Sequence, residues 1–209
     1  MDLNCSKCKV EISQKVFDYS KKNYDKALCR DCQKENKNKP KKEESNGLSK
    51  KDSFFTESMI KGRIAETLIE ELFLKLNYNV FRYGMENTVP GIMKLLKGVR
   101  GDVANDIRRM PDFVVQNLKT NKVYFVEIKF RASEKFSLKD LSKNYPYENC
   151  YFIVVSKKHI KCITYEELKE GKEVSPTSRN YLGNRKEFEL DKDVIIDFCN
   201  FAIKFFESV

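Results

Sequence analysis

Residues 110–130 read MPDFVVQNLKTNKVYFVEIKF. Two strand-like runs, DFVVQ (112–116) and VYFVEIKF (123–130), flank a segment at 117–122 whose Asn and Lys residues suit a hairpin turn. Side chains alternate along a strand, so Glu127 and Lys129 share a face while Ile128 points the other way. Hairpin pairing brings Asp112, at the head of the first run, beside them. Val126 and Ile128 flank Glu127 in a strand apolar on both sides. An ionised pair in such a setting is costly unless something needs it there.

Upstream, Ile60, Ile64, Leu68, Leu72 and Leu76 recur at i+4, with Ala65, Ile69 and Phe73 broadening the stripe. This predicts an amphipathic helix, with Thr56 a suitable cap and Glu57 in the first turn. Asn77 ends it, and YNVFRY (78–83) reads as a first strand. Downstream, a helix is predicted near 137–144. CYFIVV (150–155) is a continuous apolar run of the kind found in a strand buried on both faces. Residues 194–206 are apolar but interrupted by Asp197, Asn200 and Lys204, which predicts an amphipathic packing helix. The order helix, three strands, helix, strand makes a mixed α/β domain. Between 84 and 110 the pattern is weaker, with a short helix at 92–96.

Asp112 and Glu127, on neighbouring strand ends, can hold Mg²⁺, a hard cation that prefers oxygen ligands and keeps several waters. Such an ion lowers the pKa of an attacking water and neutralises charge on a phosphate. Lys129 beside it, a compact cation, can position that water or counter developing charge. A Glu-x-Lys pair on an exposed strand is often merely solvated. Here Pro111-Asp112 and Glu127-x-Lys129 fall on adjacent predicted strands behind an amphipathic helix.

With Pro111-Asp112, Glu127-Ile128-Lys129 and Gly62-Arg-Ile-Ala-Glu66 in place, residues 57–156 resemble the PD-(D/E)XK nuclease superfamily. That resemblance implies a restriction-endonuclease-like mixed sheet flanked by helices. It also implies Mg²⁺- or Mn²⁺-dependent hydrolysis of phosphodiesters, usually in DNA, for repair, recombination or restriction. Glu66, Asp112 and Glu127 would ligate metal, and Lys129 would complete the catalytic set. Glu66 is assigned by the resemblance alone, since the helical wheel places Glu71 nearer the apolar stripe. The stretch before Asp112 is longer than in a minimal resolvase of the superfamily, and 138–145 lacks a glutamine-tyrosine signature. A different class of function also fits: a nucleic-acid-binding or adaptor protein that keeps the fold without cutting.

The N-terminus carries Cys5-x2-Cys8 and Cys29-x2-Cys32, the spacing of a structural Zn²⁺ site closed by four thiolates. Residues 1–33 resemble a zinc ribbon or treble-clef finger, and so short a segment lacks a sufficient core without metal. Residues 33–52 hold seven Lys against three Glu and one Asp, with Leu48 the one clearly apolar residue. A flexible basic linker over 34–52 is expected, which leaves 53–209 as the nuclease-like domain. Cys150, Cys162 and Cys199 read as buried apolar residues.

The 209 residues carry 40 Lys+Arg against 31 Asp+Glu, net +9, which favours a polyanionic partner; the resemblance implies that this partner is nucleic acid, most directly DNA. Lys94, Lys97, Arg100, Arg108 and Arg109 precede Asp112, and Arg131 follows Lys129. All six are candidate phosphate contacts. His159, the sole histidine, reads as a surface residue at a strand end. Residues 175–185 read as a mobile loop near the substrate. No apolar core follows Met1, and no run approaches the ~20 residues a membrane-spanning helix needs. The expectation is a soluble intracellular protein, cytoplasmic or with the nucleoid or nucleus, without a membrane partner. Cutting both strands of a duplex makes a homodimer worth testing.

Overall fold

The computed structural model describes residues 3–37, 47–85, 89 and 91–207. The chain forms two compact units, Met1–Asp52 and Ser53–Val209. Of the segment read as a linker, residues 38–46 lie outside the described residues.

In the first unit, α1 (Gln14–Tyr24) and α2 (Arg30–Lys37) surround the cysteines. Cys5, Ile12, Ala27, Leu28 and Cys32 form a small core against Val16, Phe17 and Tyr24. Buried Ser20 ties α1 to the second cysteine pair: its hydroxyl donates to Lys26 O at 2.7 Å and accepts from Leu28 N at 2.8 Å. Residues 34–37, expected in the linker, continue α2.

The larger unit is built on a five-stranded sheet. Its strands are β1 (Tyr78–Arg82), β2 (Phe113–Asn117), β3 (Val123–Phe130), β4 (Cys150–Val155) and β5 (Ile160–Thr164), side by side in that order. All neighbours pair antiparallel except β3 and β4, which are parallel. The sheet is therefore mixed, and the domain α/β.

Helix α3 (Lys50–Lys75) begins six residues before Thr56: Ser49 Oγ accepts from Asp52 N at 3.2 Å and acts as its cap. Asn77, in left-handed backbone at φ 61°, turns the chain into β1. The apolar stripe of α3 (Ala65, Leu68, Ile69, Leu72, Phe73) packs on Phe113, Val115, Val126, Ile128 and Ile153. C-terminal α7 (Lys192–Glu207) covers the same face through Ile195, Ala202 and Phe206. The opposite face packs Phe152, Val154 and Ile163 against Phe136, Tyr145, Tyr165 and Leu168. Strand β4 is thus buried on both sides, as its composition predicts.

Two short helices, α4 (Ile92–Leu95) and α5 (Asp102–Arg108), lie between β1 and β2. The helix predicted near 137–144 is instead one 3-10 turn, Leu138–Asp140, closed by Ser137 N donating to Asp140 Oδ2 at 2.8 Å. Leu141 is already extended, and Asn144 is left-handed at φ 57°. Tyr145 precedes Pro146, a position that disfavours helix. Strand β5, absent from the sequence reading, carries buried Lys161 as its second residue, which masked the apolar pattern. Helix α6 (Tyr165–Lys169) follows it, capped by Thr164, whose hydroxyl accepts from Glu167 N.

Candidate active site

Asp112 stands one residue before β2, where it touches all three strands of the antiparallel half of the sheet. Its carbonyl accepts from Tyr83 N at 2.9 Å, beyond the end of β1. Its carboxylate Oδ2 accepts from Ile128 N, on β3, at 2.7 Å. The register pairs Phe113 with Val126, so alternation puts Asp112 beside Glu127 on the face opposite α3's stripe. Lys129, two residues along the same face, donates to Glu127 Oε1. All three side chains are largely sequestered from water.

These groups line one cleft of about 600 Å³, and Glu66 of α3 lines it too. Glu57, Lys61 and Gly62, on the same helix, form its near wall, with Glu57 paired to Lys61. Burial, followed by the charge of Glu127, pushes the Asp112 carboxyl well above the usual aspartate range. Lys129 and the Ile128 N–H work against that rise, and Glu66 adds to it. Burial opposes the charge of Lys129, yet Glu127 and Asp112 hold it above the ordinary lysine value, so it remains a cation.

Three carboxylates facing one half-closed cleft, with Asp112 desolvated among them, are a poor arrangement for charge without a cation. Hard oxygen donors of this kind fit Mg²⁺ or Mn²⁺. Among the described residues, the one group of three or more candidate ligands drawn together closely enough to hold a metal ion is the four cysteine sulfurs, and the three carboxylates do not form such a group.

Of the six basic candidates, the cleft lining includes Arg108 and Arg131. Arg108 is partly committed, donating to Val99 O at 2.8 Å, to Leu96 O and to Asn105 Oδ1 at 3.3 Å. It thereby clamps the loop after α4. Arg131 lies 5.9 Å from the Phe136 ring centroid. Lys94, Lys97 and Arg100 are exposed around α4 and are not among the lining residues, while Arg109 donates to Asn144 O at 2.8 Å.

Tyr145 is a neighbour the sequence did not indicate. It is buried, and its hydroxyl is pushed far up by burial, with Cys150, Glu127 and Asp112 adding to the rise. It sits in an irregular crossover, where no periodicity marks a residue as buried.

The stretch 175–185 is fastened rather than free, and it does not line the cleft. Cys162 N donates to Asn180 O at 2.8 Å, and Arg185 donates to Cys162 O at 2.7 Å and pairs with Glu167. His159 Nδ1 meets Glu134 Oε1 at 2.9 Å in a separate network with Ser156 and Lys161.

In the first unit, the Sγ atoms of Cys5, Cys8, Cys29 and Cys32 lie within 4.8 Å of one another and could hold a metal ion such as zinc. Burial works against ionising Cys5, yet backbone N–H groups of Cys8, Cys29 and Lys7 bring its thiol down to about 6. Burial and the neighbouring sulfurs instead push Cys32 up to about 12, and Cys8 rises because its Val10 N–H is outweighed by Cys5 and Cys29. A thiolate is the form that binds metal. Among the described residues, no helix is long and apolar enough to cross a membrane. Comparison with protein-family models, curated proteins and solved structures returned no match.

Proposed function

We propose that this chain is a metal-dependent phosphodiesterase that cuts nucleic acid, most directly DNA, on the pattern of the PD-(D/E)XK nucleases. The observation that carries the proposal is the convergence of Glu66, Asp112, Glu127 and Lys129 on one cleft from a helix and two strands. Alternation alone would put Glu127 and Lys129 together. Nothing local brings Glu66 to them from 46 or more residues upstream of Asp112 and its partners.

Mg²⁺ or Mn²⁺ held by the three carboxylates would supply a more acidic water and offset charge on the phosphate. The chain's own groups do the positioning. The Ile128 N–H fixes the Asp112 carboxylate, so one oxygen is committed to the backbone and the other is aimed by it. Glu127 holds the Lys129 ammonium at the wall of the cleft, where it can orient the attacking water and counter charge on the phosphate oxygens. Arg108 and Arg131 at the rim would steady flanking phosphates. The cysteine module and the basic stretch after it would add affinity without taking part in the chemistry.

The test is incubation with supercoiled plasmid, branched DNA and single strands in Mg²⁺, in Mn²⁺ or without divalent metal. Cleavage should require metal, and Glu127→Ala or Lys129→Ala should slow it by about 100-fold or more. Metal-dependent cutting that survives both substitutions would refute the site. Tight binding without cutting in either metal would favour the non-cutting adaptor. Light scattering of the same samples with duplex bound would show whether two copies act together.

A further inference from the structure

A second groove of about 840 Å³ is enclosed by residues 137–144 on one side and by α6 and the turn after it on the other. Arg131 of the cleft lining lies 5.9 Å from the ring centroid of Phe136, and Phe136 pairs through its backbone with Val174; their chain neighbours Ser137 and Glu173 line the groove.

Four lysines line this groove, Lys139 and Lys143 on one wall and Lys169 and Lys172 on the other, against a single carboxylate, Glu173. Lys139 and Lys143 enter no ion pair among the described residues. Lys169 pairs with Glu148 at 3.5 Å and Lys172 with Glu170 at 2.8 Å. Both pairs are exposed, and such pairs hold their partners weakly enough to exchange them for a phosphate.

The surface between the lysines is apolar. Leu138, 41% exposed, and half-buried Leu141 form it, over buried Tyr165 and Leu168, with Lys169 Nζ 5.2 Å from the Tyr165 ring centroid. Lysines alone would suit any phosphate backbone. A concave apolar floor between them offers nothing to a duplex, whose bases are stacked behind its phosphates. It suits bases that are unpaired, with phosphates tracked by the cationic rim.

We propose that this groove takes an unpaired nucleic-acid strand entering or leaving the cleft. The inference rests on the phosphodiesterase reading of that cleft, and it specifies the substrate class: a duplex carrying a single-stranded tail, flap or gap near the scissile bond.

The experiment is fluorescence anisotropy on the full chain in buffer freed of Mg²⁺ and Mn²⁺, so that binding is read without cutting. The probes are a labelled blunt duplex and the same duplex extended by an oligothymidylate tail. The tailed probe should bind about tenfold more tightly. Combining Lys139→Gln with Lys143→Gln should abolish that preference and leave the blunt duplex unchanged. The salt slope for the tailed probe should fall by about 1.4, from two lost phosphate contacts. Leu138→Ser should weaken the tailed probe alone and leave its salt slope intact. Unchanged thermal midpoints establish that these surface variants fold.

Equal affinity for the two probes, or parallel losses on both, would overturn the proposal in favour of a duplex track. Failure here is separable from failure of the cleft. A chain that cuts plasmid but shows no tail preference keeps its active site and loses this groove. One that prefers tails through these residues but never cuts loses the nuclease reading.

Discussion

Asp112→Asn should make the folded larger unit more stable while removing its activity. The wild-type carboxylate is 7% exposed, lies among the charges of Glu127 and Glu66, and is relieved chiefly by Lys129 and by the hydrogen bond from Ile128. Asparagine keeps an acceptor for that 2.7 Å bond. Weakening it from charge-assisted to neutral costs about 1 kcal/mol. Removing a desolvated charge returns several kcal/mol, part of which Lys129 already offsets, so a net gain of about 1–2 kcal/mol is expected. For a unit of this size that corresponds to roughly 2–8 °C in Tm.

Differential scanning fluorimetry in resin-treated buffer, without a chelator that would strip the cysteine site, measures it. The sign with pH also follows. A carboxyl whose folded pKa lies above its unfolded value destabilises the fold at high pH, and the penalty is released as pH falls through the folded pKa toward the unfolded one. The gap between variant and wild type should therefore close on acidification. Mg²⁺ should reverse the order. At about 100 times its dissociation constant it adds ~2.7 kcal/mol to the wild type, and far less to the variant. A variant less stable than wild type without Mg²⁺, or equally stabilised by it, would refute the reasoning.

Two further outcomes follow from the remaining polar clusters. Removing the metal from the cysteine site, or substituting Cys5→Ser, should unfold the first unit while the larger unit keeps its melting transition. Circular dichroism with a colorimetric zinc assay reads both, and release of substantially less than one zinc per chain would contradict a four-thiolate site. In the larger unit, Glu134→Ala should destabilise by about 3–5 kcal/mol, because it leaves Lys161, 1% exposed, without its carboxylate. Combining it with Lys161→Met should recover most of that loss, as urea unfolding would show. No recovery would mean that the lysine's bonds to Ser175 O and Pro176 O carry the stability.

The candidate site was legible to unequal depths. Glu127 and Lys129 share a face because strand side chains alternate, which any reading of VYFVEIKF contains. Asp112 joins them through hairpin pairing, a local event. Glu66 needed the Gly-x-x-x-Glu resemblance, because the side of α3 that reaches the strand ends is not the one its apolar stripe marks. The tally of basic residues was least informative: charge density does not reveal that Arg108 spends its donors on Leu96 and Val99, or that Lys169 and Lys172 share a groove with Lys139 and Lys143.

Periodicity and spacing in the sequence determined the local order: the long α3, the β2–β3 hairpin, the doubly buried β4, the amphipathic α7 and the paired CxxC turns. Each arises from interactions among residues close in the chain, so each leaves a pattern there. Tertiary structure decided the rest. Burial of the β5 edge could admit Lys161 because Glu134 and two loop carbonyls, remote in sequence, satisfy it. The crossover from β3 to β4 is irregular because packing Phe136 and Tyr145 beneath the parallel pair outweighs helix propensity in residues 137–144. Only that packing buries Tyr145 against Phe152 and Tyr165 and opens the lysine-lined groove, since such placement depends on contacts between segments that no periodicity links.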